Sequence, residues 1–257
     1  MRKGSVSCVA LLLTGVALSS AAAGGLSPNL CIGEGCRTGW SDAIASGLLL
    51  PAGDPIPTEI EFARSLGMNP VHRPAMLFPD IMVADAAGVA HRSLVMGWDT
   101  TGADPANDLV FAAWEYSYPT DPDLTGTTIH LSLYPPPGIW DASFSIRDVN
   151  GNWRSWFIFG PVPFWADLWL DPEIAGPQGP FNAFFEDPGF DLTMVTGFRF
   201  DEAGMFSPTF PIGPVPGLGG PIMWNAWNHF VVTPAPAVAA LFGLGVAGLA
   251  LARRRAR

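Results

Sequence analysis

The segment "PFWADLWLDP", residues 163–172, places two tryptophans beside carboxylates. The flat face of an indole ring stacks on polarised C–H surfaces, and a sugar ring offers such a surface. A neighbouring carboxylate accepts hydrogen bonds from hydroxyl groups. We therefore predict that Trp165, Trp169 and Asp167 contact a carbohydrate ligand. Packing in a core or an interface is the competing interpretation, because tryptophan is usually largely buried.

Oxygen-rich turns suggest a second kind of site. Asp121, Asp123 and Asp148 lie in turn-like segments, the last of them close to Asn150 and Asn152. Calcium prefers such oxygen ligands, and we predict a structural Ca²⁺ at these aspartates, although the segment lacks the glycine position and the distal glutamate of an EF-hand loop. Ordinary turn chemistry is the alternative for Asp148. We predict no other cofactor.

Catalytic signatures are absent from the sequence. The four histidines show neither H-E-x-x-H nor H-x-x-x-H spacing, and G-x-S-x-G does not occur. His130 is interpreted as an ordinary exposed residue. We predict that the protein is not an enzyme. A polysaccharide hydrolase is the alternative, which requires two carboxylates about 5 to 10 Å apart. Five glutamates could supply such a pair, but the sequence does not show which of them lie close together. They are Glu59, Glu61, Glu115, Glu173 and Glu186.

The chain pattern that must position these groups is that of β-strands. In "TTIHLSLY", Ile129, Leu131 and Leu133 point to one face, and His130 and Ser132 point to the other. The segment "WDASFSIRDVNGNWRSWFIFG" predicts a hairpin with a type I′ turn at its Asn-Gly pair. Several such strands without helical crossovers predict an all-β protein, an antiparallel β-sandwich spanning residues 76–232.

Residues 24–75 are predicted to form an N-terminal extension. Cys31 and Cys36 are the two cysteines left in the exported chain, and we predict a local disulfide between them, with free thiols as the alternative. One short helix is expected in "PTEIEFARSLG", where Thr58 and Glu61 fit a capping box and Gly67 ends the helix.

Charge excludes one class of partner. The chain carries a net charge of −10, and every acidic residue lies between Glu34 and Glu202. Away from the two ends, 7 basic residues face 23 acidic ones, a net charge of −16. Such a body repels phosphate backbones, so we predict no binding to nucleic acid.

Both ends of the chain carry signals for targeting. Residues 1–23 combine a basic start, a ten-residue apolar run and an Ala-Ala-Ala cleavage site, which predicts a cleaved signal peptide and export by the Sec machinery. Residues 237–252 are uncharged and would form a helix about 24 Å long, which we predict to be transmembrane. Pro234, Ala235 and Pro236 precede it. An arginine cluster follows it and is expected to flank the membrane: Arg253, Arg254, Arg255 and Arg257.

The proline pair, short helix and terminal arginines of residues 233–257 resemble a PEP-CTERM sorting signal, with Ala235 where that family usually has glutamate. The resemblance implies a transient anchor in the inner membrane of a bacterium with an outer membrane. It also implies processing by an exosortase-type enzyme and a final place at the cell surface or in the extracellular matrix. A permanently anchored adhesion module is the alternative.

The segment 121–153, "DPDLTGTTIHLSLYPPPGIWDASFSIRDVNGNW", resembles the middle of a galactose-binding-like jelly-roll domain. Together these features predict an exported protein of binding or structural type, held in an exopolysaccharide matrix and binding carbohydrate.

Overall fold

Two β-sheets pack face to face around one hydrophobic core. The computed structural model describes residues 29–85, 87–104, 106–134, 140–160, 166–204 and 222–234. Within them, sheet A contains β1 (Leu30–Gly33), β4 (Met76–Ala84), β5 (Ala90–Asp99), β7 (Thr127–Tyr134), β10 (Ala166–Leu170) and β13 (Ile222–Pro234). Sheet B contains β2 (Leu49–Pro51), β3 (Asn69–His72), β6 (Asp108–Ser117), β8 (Trp140–Asp148), β9 (Trp153–Gly160), β11 (Ala183–Glu186) and β12 (Val195–Gly204). The helices of the described chain are α1 (Trp40–Ala45) and α2 (Pro57–Ser65).

The strand orders are β10-β7-β13-β5-β4 in sheet A and β11-β9-β8-β12-β6-β2 in sheet B. Strand β1 pairs with β13, and β3 pairs with β6 in parallel, while the other described pairings are antiparallel. The prediction of an all-β antiparallel sandwich is therefore confirmed for the described residues, apart from the pair β3–β6.

The expected N-terminal extension is part of the sandwich where the structure describes it. Strands β1, β2 and β3 lie within residues 24–75, and they pair with β13 and β6. Helix α2 begins two residues earlier than the capping box predicted, with Ile56 as its N-cap and Pro57 at the first helical position, where a missing N–H costs nothing. Gly67 follows the helix end with a φ of 74°, as expected of a helix-terminating glycine.

The hairpin between β8 and β9 differs from the predicted type I′ turn. Its loop has four residues, 149–152, and only Gly151 of these has a positive φ. The side chain of Asp148 accepts hydrogen bonds from the backbone N–H groups of Asn150 and Asn152. This side-chain cap stabilises a longer loop than the Asn-Gly pair alone would form.

Much of the tryptophan content is used by the core. Trp40, Trp98, Trp114, Trp156 and Trp227 are fully buried. The indole of Trp114 contacts that of Trp227 edge to face, with ring centroids 5.3 Å apart. Core packing therefore accounts for these five tryptophans.

The two chain ends lie largely outside the described residues. The signal peptide, Ala235, Pro236, the expected transmembrane segment and the terminal arginines all lie outside, while Pro234 ends β13. Among the described helices, none is long and apolar enough to span a bilayer.

Candidate functional site

The outer face of sheet A, formed by β10, β7 and β13, carries the candidate site. Strand register pairs Trp169 with His130, and it pairs both Asp167 and His229 with Ser132. The neighbours Leu131 and Leu168, one position along each strand, point inward and are buried, so the polar side chains must point outward.

Trp169 forms a flat platform at the edge of this face. Its indole stacks on the imidazole of His130, with ring centroids 3.9 Å apart and an angle of 5° between the planes. Even so, 58% of the residue is exposed, the largest exposed fraction among the large apolar residues described. An aromatic ring so exposed gains nothing from core burial and is open to a ligand.

Three polar side chains next to the platform form a connected row. His130 Nε2 lies 3.2 Å from Asp167 Oδ1, and His130 Nδ1 lies 3.1 Å from His229 Nε2. The side chain of Asp167 is 63% exposed, whereas that of His130 is only 17% exposed. Burial lowers the pKa of His229, and the nearby His130 lowers it further, so its imidazole is mainly neutral at pH 7.

Two of the three predicted carbohydrate contacts, Trp169 and Asp167, are brought together here. Trp165 lies outside the described residues. The sequence pattern did not point to His130 or His229 as part of this candidate site. For His130 a signal existed, since strand alternation placed it on the polar face. For His229 none existed, because the pairing of β13 with β7 joins residues about a hundred positions apart.

Two of the predicted calcium ligands, Asp148 at the end of β8 and Asp123, accept hydrogen bonds from nearby residues. Both carboxylate oxygens of Asp148 accept hydrogen bonds from N–H groups, including those of Asn152 and Asp191. Asp123 accepts one from the backbone of Thr125. Among the described residues, the group of three or more acidic, His or Cys side chains placed to hold a metal is His130, Asp167 and His229. Calcium at Asp121, Asp123 and Asp148 stays a prediction.

Cys31 and Cys36 form a disulfide across the turn after β1, with Cα atoms 5.3 Å apart. Close to it, His91 lies between two carboxylates: its Nδ1 is 2.9 Å from Glu34 Oε2, and its Nε2 is 3.2 Å from Asp85 Oδ2. The hydrogen bond with Glu34 raises the pKa of His91 most strongly. This network ties the disulfide loop to β5.

A buried acid pair lies between α2, which carries Glu59, and the outer face of sheet B, which carries Asp201. Asp201 accepts hydrogen bonds of 2.6 to 2.9 Å from the Arg199 guanidinium. Glu59 accepts one from Ser143, and its other oxygen has no donor among the described residues. Burial and the negative charge of Asp201 raise the pKa of Glu59 well above its ordinary range.

This acid pair is shielded from any large ligand. The adjoining cavity has a volume of about 10 Å³, which suffices for about one water molecule. Its walls include Phe62 and Phe159, whose rings stack 4.1 Å apart. A shallow apolar groove of about 330 Å³ continues along α2, β9 and β11. As arranged here, the pair lacks room for a sugar ring between its carboxyl groups.

No protein-family model and no curated protein matches the chain. Among solved structures, an exo-β-agarase overlaps with a TM-score of 0.42 at 9% identity, covering 63% of this chain and 23% of the agarase chain. Another agarase gives 0.36 at 11% identity, with 74% and 25% covered. A family 11 carbohydrate-binding module from Clostridium thermocellum gives 0.35 at 14% identity, with 63% and 84% covered.

This chain therefore spans about a quarter of the length of the agarase chains. We infer the function from the side chains of this chain.

Proposed function

We propose that the protein is an exported, non-catalytic carbohydrate-binding protein whose ligand stacks on Trp169. The observation that carries this proposal is the exposed Trp169 indole, held flat against His130, with the Asp167 carboxylate on the same outer face of sheet A. We also infer that the β-sandwich has a jelly-roll-like form.

A sugar ring offers two kinds of surface, and the site offers a partner for each. Its axial C–H groups pack on an aromatic face, which is the interaction that Trp169 makes available. Its hydroxyl groups donate to carboxylates and exchange hydrogen bonds with imidazoles, which Asp167 and His229 supply. The stack on His130 already restricts the indole, so less side-chain entropy is lost when a ligand binds.

The charge of the body favours a neutral polysaccharide. The central chain carries 23 acidic and 7 basic residues. Anionic polymers are repelled at long range by such a surface, whereas neutral glycans are not.

The proposal also covers the cellular localisation of the protein. We infer export by the Sec machinery, transient retention in the inner membrane by residues 237–252, and exosortase-type cleavage near Pro234 and Pro236, followed by placement at the cell surface or in the extracellular matrix. The PEP-CTERM resemblance supports this route. We expect mass spectrometry to find the C-terminus of the mature protein near residue 236. An intact Arg257 in the surface fraction would instead support the permanently anchored adhesion module.

Glycan microarrays and affinity electrophoresis in neutral polysaccharide gels test the binding proposal. The wild type is expected to bind at least one polysaccharide, and Trp169→Ala to lose that binding at least tenfold. Trp153→Ala is the matched control, because Trp153 is a partly exposed tryptophan of sheet B. Binding to no polysaccharide would contradict the proposal. Release of reducing ends from a bound polysaccharide would instead support the hydrolase alternative.

A further inference from the structure

We propose that His130, Asp167 and His229 form a binding site for a divalent transition-metal ion of the zinc type. One nitrogen of each histidine and one oxygen of Asp167 lie within 4.8 Å of one another. Two imidazoles and one carboxylate are a donor set that zinc and its neighbours in the first transition row accept. Metal uptake is a property separate from carbohydrate binding, because it is measured without any glycan.

One distance between ligand atoms already fits a shared ion, and the third ligand has to move toward it. Zinc–ligand bonds of about 2.0 to 2.1 Å in a tetrahedral site place neighbouring ligand atoms about 3.3 Å apart. Here His130 Nδ1 and His229 Nε2 are 3.1 Å apart, as two ligands of one ion would be. Asp167 Oδ1 lies 3.2 Å from the other nitrogen of His130, Nε2, which the same ion does not share. One oxygen of Asp167 lies within 4.8 Å of a ligand nitrogen of each histidine, and its side chain is 63% exposed, so Asp167 is the ligand that moves toward the ion.

The backbone under the site is already fixed. His130 lies on β7, which is paired on both sides, by β10 and by β13. Each ligand therefore comes from a different strand of one sheet. Rigid strands hold ligand positions more precisely than loops do.

The charge of the surroundings favours a cation, because the large excess of acidic residues in the body attracts positive ions. With three protein ligands, one position stays open to water.

Metal titration of the untagged full-length protein in detergent tests the proposal, after dialysis against a chelator. We expect one Co²⁺ per chain with visible d–d absorption bands, and displacement of Co²⁺ by Zn²⁺ in calorimetry. Because Trp169 stacks on His130, Co²⁺ is also expected to quench a fluorescence component that Trp169→Phe removes.

Variants separate this site from adventitious binding. His130→Ala and His229→Ala are each expected to weaken Zn²⁺ binding at least tenfold. Asp167→Asn should weaken it too, at an exposed position where the fold is not at risk. His91→Asn is the matched control, because His91 also contacts carboxylates, Glu34 and Asp85, but is not one of the three proposed ligands. No metal uptake by the wild type, or equal affinity in the double variant His130→Ala/His229→Ala, would overturn the proposal.

Discussion

Glu59 lies on the face of helix α2 that packs against sheet B, where Ser143 donates a hydrogen bond to one of its oxygens and the other faces the Asp201 carboxylate. Burial raises the pKa of Asp201, but the Arg199 guanidinium opposes this through its charge and its hydrogen bonds. The shared proton therefore lies on Glu59. A protonated Glu59 donates to Asp201 and leaves no repulsion between two buried charges.

This proton makes stability depend on pH. The pKa of Glu59 is raised in the folded protein, so its contribution is fully present below its ordinary value of 4.5 and is lost as pH rises through the folded value. Glu59→Gln keeps a donor and an acceptor without a titrating proton. We expect its free energy of unfolding to exceed that of the wild type at pH 8, with the gap changing by up to about 1.4 kcal/mol per pH unit.

Chemical denaturation between pH 4 and pH 9 measures this difference. Glu61→Gln, an exposed change on the same helix, is the control and should follow the wild type. A Glu59→Gln variant that keeps the wild-type pH slope would show that Glu59 is ionised in the folded protein.

Residue types alone pointed to half of the candidate site. Trp169 and Asp167 stood out because an indole next to a carboxylate suits a sugar. His130 and His229 did not, because their proximity depends on strand order, which the sequence does not specify. The buried Glu59 was equally hidden, since its partner Asp201 is on a strand far along the chain.

At the scale of elements, the turn after β1 is held against β13 by a close backbone approach. Gly33 has a φ of 104°, and a Cβ there would meet the Asn228 carbonyl oxygen and come within 2.8 Å of Trp40 Nε1. The same carbonyl accepts a hydrogen bond of 3.1 Å from the Trp40 indole. A side chain at Gly33 would therefore displace β1, its disulfide loop and α1 together.

Gly33→Ala is expected to destabilise the protein by about 2 kcal/mol or more, from a left-handed φ together with overpacking. Gly35→Ala is the matched control, because Gly35 has a φ of 79° but no heavy atom lies within 4 Å of the point that its Cβ would occupy. It should cost only about 1 kcal/mol. Thermal melting of both variants decides this, and equal losses would rule out the close approach.

The disulfide closes a short loop, so its effect should be modest. The chain-entropy relation predicts that Cys31→Ser/Cys36→Ser lowers the free energy of unfolding by about 2 kcal/mol. Denaturant titration measures this value. An unchanged midpoint would mean that the His91–Glu34 network alone holds the loop.

Local sequence patterns predicted the strands better than they predicted which residues pack over the faces of those strands. The alternation of β7 was confirmed, with Ile129, Leu131 and Leu133 buried on the inner face. In β8, Ser143 and Ser145 alternate with apolar residues in the sequence, which predicts that they face solvent, yet both are buried. Glu59 of α2 bonds to Ser143, and Ser155 bonds to Ser145. Coverage of this kind depends on tertiary packing, which no local pattern encodes.

At the scale of the whole molecule, the outer faces of the two sheets differ. Sheet B is covered by α2 and lined with aromatic rings such as Phe62 and Phe159. Sheet A presents the exposed Trp169 with a row of polar side chains beside it. We therefore assign ligand binding to sheet A and stability to the layer on sheet B.

The charge of the body should shape ligand choice. We expect weaker binding to an anionic polysaccharide than to a neutral one of similar backbone. The difference in affinity should shrink as the salt concentration is raised from about 20 to about 300 mM, because the electrostatic screening length falls from roughly 20 Å to roughly 6 Å. Affinity electrophoresis at several salt concentrations measures this. Tighter binding to the anionic polymer at low salt, in metal-free buffer, would contradict it.

The position of the bound glycan tests the central claim most directly. Hydrogen–deuterium exchange of the protein with and without a polysaccharide fragment that it binds would report which strands the ligand covers. We predict slower exchange in β7 and β10, around His130 and Trp169. Slower exchange confined to α2, β9 and β11 would place the ligand in the apolar groove of sheet B and contradict the assignment to sheet A.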